Sequence, residues 1–156
     1  MLVEFRVGNF RSLREEQVLS LVASKDKTLQ DTHTVSTGLK AAPSLLRSAA
    51  IYGANASGKS NLIKALQYMR GVVAESATVI QPGQTFAVQP FRLDAQSAKE
   101  PTAFEVTFII DGVRYQYGFS ETDTHPLSYH GLKNGQSCQT RSWIYPCHCL
   151  LIPATN

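Results

Sequence analysis

Apolar and polar residues alternate at the start of the chain. Val3, Phe5 and Val7 are separated by Glu4 and Arg6, which predicts a strand over residues 2–7 with those three apolar side chains on one face. Gly8-Asn9-Phe10-Arg11-Ser12-Leu13 breaks that period, and Gln17 to Val22 reads as a second strand that can return antiparallel to the first. Residues 24–48, rich in Ser, Thr, Lys, Asp and Ala, have little period and predict an exposed loop with a short element before the next strand. Ser48-Ala49-Ala50-Ile51-Tyr52 predicts a short buried strand. Leu62, Ile63, Leu66, Met69, Val72 and Val73 recur at helical spacing and predict a helix over about Gly58 to Glu75. Gln81-Pro82-Gly83-Gln84 marks a turn, and Phe86 to Leu93 reads as a further strand.

The clearest β pattern follows. Phe104, Val106, Phe108 and Ile110 alternate, then comes Asp111-Gly112, then Val113, Tyr115, Tyr117 and Phe119 alternate again. Two alternating runs joined by Asp-Gly are a strong hairpin signal, because both turn positions need a left-handed backbone. The expected class is α/β of mixed α+β type: an N-terminal β element, a strand–loop–helix unit, and an antiparallel β subdomain.

Between the expected strand and helix lies Gly53-Ala54-Asn55-Ala56-Ser57-Gly58-Lys59-Ser60, a complete G-x-x-x-x-G-K-S phosphate-binding loop. Gly53 and Gly58 let the backbone turn its N–H groups inward and approach phosphates closely. The helix N-terminus adds unpaired N–H groups and the positive end of its dipole. Lys59 is expected to reach the β- and γ-phosphates, and the Ser60 hydroxyl to ligate Mg²⁺. The loop therefore points to ATP and Mg²⁺ as ligands, with Lys59 as the residue that carries the phosphate chemistry. No Asn-Lys-x-Asp guanine-reading motif occurs, which disfavours a GTPase.

A phosphate-loop enzyme needs a further carboxylate for the metal. Phe108-Ile109-Ile110-Asp111 fits that pattern, but Asp111 also opens the hairpin turn, and the alternation on both sides favours the turn. Two readings stay open beside the ATPase one. A small nucleotide kinase or phosphotransferase would use Asp111 as metal ligand, and a non-catalytic interaction fragment would pair with intact relatives.

Composition changes along the chain. All 12 acidic residues lie between Glu4 and Asp123, whereas Cys138, Cys147, Cys149, Trp143 and three of the four histidines lie in the last 33 residues. The expected division is residues 1–123 as the nucleotide-binding lobe and 124–156 as an atypical tail, disordered or frameshifted. Cys138, Cys147, His148 and Cys149 have the wrong spacing for a tetrahedral zinc site. The net charge of +3 permits a nucleic-acid partner without arguing for one. No apolar run approaches the ~18 residues of a membrane span, and the N-terminus does not read as a secretory signal. A cytoplasmic protein with no membrane partner is expected.

Val7-Gly8-Asn9-Phe10-Arg11-Ser12, followed by Gly53-Ala54-Asn55-Ala56-Ser57-Gly58-Lys59-Ser60-Asn61-Leu62, resembles the N-terminal half of an ABC-type ATPase head of the SMC, RecF and overcoming-lysogenization-defect group. More narrowly, it is similar to bacterial AAA-family ATP-binding proteins encoded near restriction and anti-phage genes. The resemblance covers residues 1 to about 120. It implies a P-loop NTPase fold, Arg11 near the nucleotide phosphates with Ser12, Asn55 lining the site and Asn61 at the helix start. It also implies Mg²⁺-dependent ATP hydrolysis between two heads facing each other, and work on DNA or RNA with a nuclease effector. The sensor glutamine, signature motif, Asp-Glu strand and histidine switch of that group have no counterpart here. Gln116 lies inside an expected strand and does not serve as the sensor. A truncated product with a foreign tail is the expectation that joins these departures to the compositional change.

Overall fold

The computed structural model describes residues 1–76, 88–122, 125–134 and 136–137. Its main sheet contains β1 (Leu2–Gly8), β2 (Gln17–Ser20), β5 (Thr102–Ile110), β6 (Val113–Thr122), β7 (His125–Lys133) and β8 (Gln136–Ser137). Their order is β2-β1-β5-β6-β7-β8, with every neighbouring pair antiparallel. A second sheet pairs β3 (Thr34–Ser36) with β4 (Ser44–Leu46), after the short helix α1 (Gln30–His33). The long helix α2 spans Lys59–Ser76. The result is mixed α/β, one long helix against an antiparallel sheet, as the sequence pattern anticipated. The expected hairpin is present: β5 and β6 pair from Thr102↔Glu121 to Ile110↔Val113, with Asp111 at φ 50° and Gly112 at φ 74° in the turn.

One sheet face carries the main core. Phe5, Val7, Phe104, Tyr117 and Phe119 meet Ala65, Met69 and Val72 of α2, and Phe10, Leu13 and Val88 close the edges. The stripe on α2 runs Leu62, Ala65, Leu66, Met69, Val72 and Val73, the i, i+3, i+4, i+7 pattern of one helical face. Ile63 was expected on it but lies about 100° round the helix and is 45% exposed. Phe104 is the centre of an aromatic group, with ring centroids 5.5 Å from Phe10, 5.3 Å from Tyr68 and 5.0 Å from Phe119.

Several expectations are corrected. Val3 does not share a face with Phe5 and Val7. The β1–β5 register shifts between Leu2 and Glu4, so a bulge places Val3 with Ile109, Ala42 and Leu45 in a second cluster on the other side of the sheet. Regular alternation along β5 turns Ile109 toward that same second cluster and buries it, whereas Ile110 is 48% exposed. Residues 24–48 are not a plain loop: the β3–β4 hairpin covers that second cluster, and Val22 bridges to Leu45. Ser48–Tyr52 is exposed coil rather than a buried strand. No described strand lies alongside it, and unpaired backbone groups keep to water. Of the strand expected over Phe86–Leu93, the described residues 88–93 are coil, because their backbone bonds go to a turn instead of a ladder: Arg11 N–H donates to Gln89 O at 2.8 Å and Phe91 N–H to Asn9 Oδ1 at 3.0 Å. The turn expected at Gln81–Gln84 and the cysteines Cys138, Cys147 and Cys149 lie outside the described residues, as does His148.

The compositional boundary after Asp123 is not an edge of the sheet. β7 pairs with β6 from Thr122↔His125 to Tyr115↔Lys133. At Gly118↔His130 the fit is close: a Cβ on Gly118 would lie 2.3 Å from His130 Cε1 and 2.8 Å from Phe104 O. The imidazole therefore lies over the glycine, with Nε2 3.2 Å from Glu105 Oε2.

Truncating Phe104 to alanine removes the shared ring of the aromatic group. It should cost about 3–5 kcal/mol, the usual range for a buried Phe→Ala, read as a lower urea midpoint at unchanged m-value.

Candidate phosphate-binding site

The site is built where β1 ends. Gly8 leads into a tight turn in which Asn9 (φ 54°) and Arg11 (φ 53°) are both left-handed. Phe10 N–H donates to Leu13 O and Leu13 N–H to Phe10 O, both at 2.8 Å, which closes the turn on itself. Phe10 enters the core against both Tyr68 of α2 and Phe104 of β5, whose rings stack on each other, so the helix and the sheet both grip the turn. Asn9 is buried and fully used. Its Nδ2 donates to Ser97 O and Glu100 O, each at 2.8 Å, its Oδ1 accepts from Phe91 N–H, and its carbonyl accepts from Thr102 Oγ1 at 2.7 Å. The residues it holds include a single turn of 3₁₀ helix, Ser97–Lys99, capped by Asp94, which accepts from Ser97 N–H and Oγ–H. Those two bonds hold the Asp94 carboxyl below the ordinary carboxylate range, with Arg14 adding a smaller charge effect.

The phosphate loop lies against this turn. A Cβ on Gly58 would sit 2.8 Å from Leu13 Cδ2 and 3.5 Å from Ser12 Oγ, and Gly58 has φ +92°. The left-handed backbone favours glycine there, and a Cβ would also press on the end of the Leu13 side chain. One turn into α2, Asn61 Nδ2 donates to Ser12 Oγ at 2.7 Å. Ser12 and Asn61 thus tie the Asn-Phe-Arg-Ser turn to the helix start, at which a bound phosphate would meet free N–H groups. Lys59 bends back over the loop: its Nζ donates to Gly53 O at 2.8 Å, to Ala54 O at 2.6 Å and to Ser57 Oγ at 3.4 Å. The loop from Gly53 to Ser57 is exposed, as is Ser60, so phosphate oxygens and a metal ion have open access. A Cβ on exposed Gly53 would lie 2.9 Å from Ser57 Oγ, the end of a side chain within the same loop.

The sequence-derived residues are therefore found together. Ala54, Asn55 and Ala56 form the exposed rim, Lys59 lies across the loop, and Gly58, Asn61 and Ser12 form the contact with the turn. Arg11 is half-buried beside them, with Cζ 5.4 Å over the Phe10 ring and an Nε that is buried without a hydrogen-bond partner among the described residues. Asp111 is not part of this constellation. It sits in the β5–β6 turn, whereas Thr102, at the other end of β5, bonds the Asn9 turn; nine residue steps along the strand separate them by roughly 30 Å. The metal-ligand reading of Asp111, and the kinase reading that needs it, lose their geometric basis. Among the described residues no group of three or more His, Cys, Asp or Glu side chains gathers to hold a metal. Sequence reasoning missed Asn9 as an organiser. The available signal was an asparagine directly after the glycine that ends a strand, a residue suited to a left-handed turn.

Two expected outcomes follow from this geometry. Gly58→Ala should destabilise the loop–turn contact by about 1–3 kcal/mol, from the left-handed backbone and the Leu13 clash together, seen as a lowered melting temperature with faster amide exchange at Leu13 and Asn61. Because the Asp94 carboxyl titrates below its unfolded value, its stabilising effect is present above the usual carboxylate pKa and lost as pH falls through the folded value. The stability gap between the wild type and Asp94→Asn should therefore shrink as pH drops below about 4, measured by denaturation at stepped pH.

A family model described as an AAA domain, putative AbiEii toxin, Type IV TA system, matches residues 48–137. The match starts just before the phosphate loop and runs through α2, β5, β6, β7 and β8, past the point near residues 120–124 at which the resemblance was expected to end. No curated protein matches the chain. Among the described residues no helix is long and apolar enough to cross a membrane. With the phosphate loop at the N-terminus of α2 and more than half its length matched, the chain belongs to the AAA-domain, AbiEii-toxin-like family of P-loop ATPases.

Proposed function

We propose that this chain binds ATP with Mg²⁺ through Gly53–Ser60, as the N-terminal lobe of an ABC-type head. The observation that carries the reading is the juxtaposition of three parts: a glycine-hinged loop, the start of an 18-residue helix, and a lysine whose ammonium lies across the loop carbonyls. Lys59 is bonded only to neutral acceptors there. A phosphate oxygen is a stronger partner for an ammonium than a neutral carbonyl, so an arriving triphosphate draws Lys59 off the loop and onto the β- and γ-phosphates. The Ser60 hydroxyl, exposed on the first turn of α2, is the residue suited to hold the metal. When bound, Mg²⁺ neutralises charge that develops between the β- and γ-phosphates. Arg11 supplies a second positive charge from the neighbouring turn, its buried Nε unpartnered among the described residues.

In the complete head, hydrolysis takes place between two facing copies, with the remaining carboxylates contributed outside the loop and helix described above. The family's description as a putative toxin of a toxin–antitoxin system supports a place in anti-phage defence, and the resemblance to SMC- and RecF-type heads supports coupling to DNA or RNA and a nuclease effector. A cytoplasmic setting suits all of these roles.

The test is direct binding of a fluorescent ATP analogue with Mg²⁺. Wild-type protein should bind, and Lys59→Ala should weaken binding about tenfold to a hundredfold, the worth of one charge-assisted contact. Lys59 is the first residue of α2 and its ammonium makes only exposed bonds to the loop, so circular dichroism and the melting temperature should barely change. Equal binding by the variant would overturn the assignment.

A further inference from the structure

The Asn9 network joins two parts of the molecule that share no strand pairing. On one side are residues 91–101, held by the Asn9 amide through Phe91, Ser97 and Glu100. On the other is the phosphate loop, which meets Ser12 and Leu13, three and four residues farther along the same turn. Between them Phe10 is fixed in the core, so the turn cannot shift as a soft loop would. Arg11 N–H to Gln89 O adds a further tie on the same side as Asn9.

From this we infer that Asn9 is a positioning residue for the phosphate loop, acting through the Asn9–Leu13 turn and the Ser12–Asn61 hydrogen bond, and that nucleotide binding and the docking of residues 91–101 are coupled through it. The inference rests on the ATP-binding reading above. Asn9 touches no ligand. It fixes the turn, the turn fixes Ser12 and Leu13, and these set the position of Gly58 and Asn61 at the head of α2. Coupling of this kind is reciprocal: whatever tightens the loop on nucleotide tightens the docked segment, and loss of the docked segment loosens nucleotide by the same factor.

The chemistry of the network makes the choice of variant clear. Asn9→Asp keeps the size and the acceptor for Phe91 N–H, but it withdraws the two N–H donors that serve Ser97 O and Glu100 O. Ser12→Ala cuts the other end of the link. Ser12 is exposed, so that variant leaves the buried Asn9 network and the fold in place.

The experiment measures binding of the fluorescent ATP analogue with Mg²⁺, together with amide exchange at residues 88–101 with and without the nucleotide. In wild-type protein, nucleotide should slow exchange at Phe91, Ser97 and Glu100. Ser12→Ala should weaken binding about fivefold and abolish that distant slowing, while exchange at Phe91 in the free protein stays as in the wild type. Asn9→Asp should weaken binding by a similar factor in the wild-type background and by much less in the Ser12→Ala background. A Ser12→Ala protein that binds as wild type and still slows exchange at residues 91–100 overturns the inference, as does an Asn9→Asp loss of equal size in both backgrounds, which would mark general damage to the fold. If Asn9→Asp does not fold, the Ser12→Ala outcome alone decides. Failure of the wild type to bind nucleotide at all would instead overturn the ATP-binding reading, and this inference with it.

Discussion

A buried asparagine amide must find partners for two N–H groups and a carbonyl, or destabilise the fold by about 1–3 kcal/mol for each group left orphaned. Asn9 meets that demand with the backbone of residues 91, 97 and 100. The path of residues 91–101 follows from this one constraint. Residues 88–101 cannot be a strand while their polar groups serve the turn, and the turn cannot open without exposing them. Phe10 completes the arrangement from the apolar side. It packs against a helix ring and a sheet ring at once, so polar satisfaction and core packing hold the same five residues.

That shared anchorage explains the precision of the phosphate-binding loop in a chain whose loop is otherwise exposed. The loop is long, glycine-bearing and open to solvent from Gly53 to Ser57, features that favour mobility. Its far end is not free. Gly58 rests on Leu13, and Asn61 reaches Ser12, so the helix start is referenced to the sheet through the turn rather than through a neighbouring strand. With Ser48–Tyr52 solvent-exposed, this is the main fixed point the described structure gives the loop.

The sequence was most legible where one short-range signal decides the outcome. The alternation around Asp111-Gly112 located the β5–β6 hairpin, and the glycine-lysine-serine run located both loop and helix start. Legibility failed where long-range partners decide. Val3 keeps the period of Phe5 and Val7 on paper, yet a bulge opposite Thr107 sends it to the other face. Phe86–Leu93 has the composition of a strand, but the hydrogen bonds of its described part are claimed by Asn9 and Arg11, some 80 residues earlier. Ser48–Tyr52 has the apolar content of a buried strand, but burial needs a neighbour that local pattern does not report. The loop and helix start that would form the candidate site were legible from Gly53 to Asn61. Its organiser was not, because nothing local distinguishes an asparagine that caps one turn from one that holds three segments.

The glycine beneath His130 bears on how far the sheet extends as one piece. Every other alignment of β7 on β6 that preserves the pleat would set the imidazole over a residue with a Cβ, Gln116 or Ser120 at the nearest steps. The stiffer neighbour is Phe104 O, 2.8 Å from where a Cβ on Gly118 would lie, so the glycine spares the sheet a backbone clash while the exposed imidazole rests above it. The Gly118↔His130 pair lies astride the point at which the chain's acidic residues run out, so the sheet's pairing continues across that change of composition.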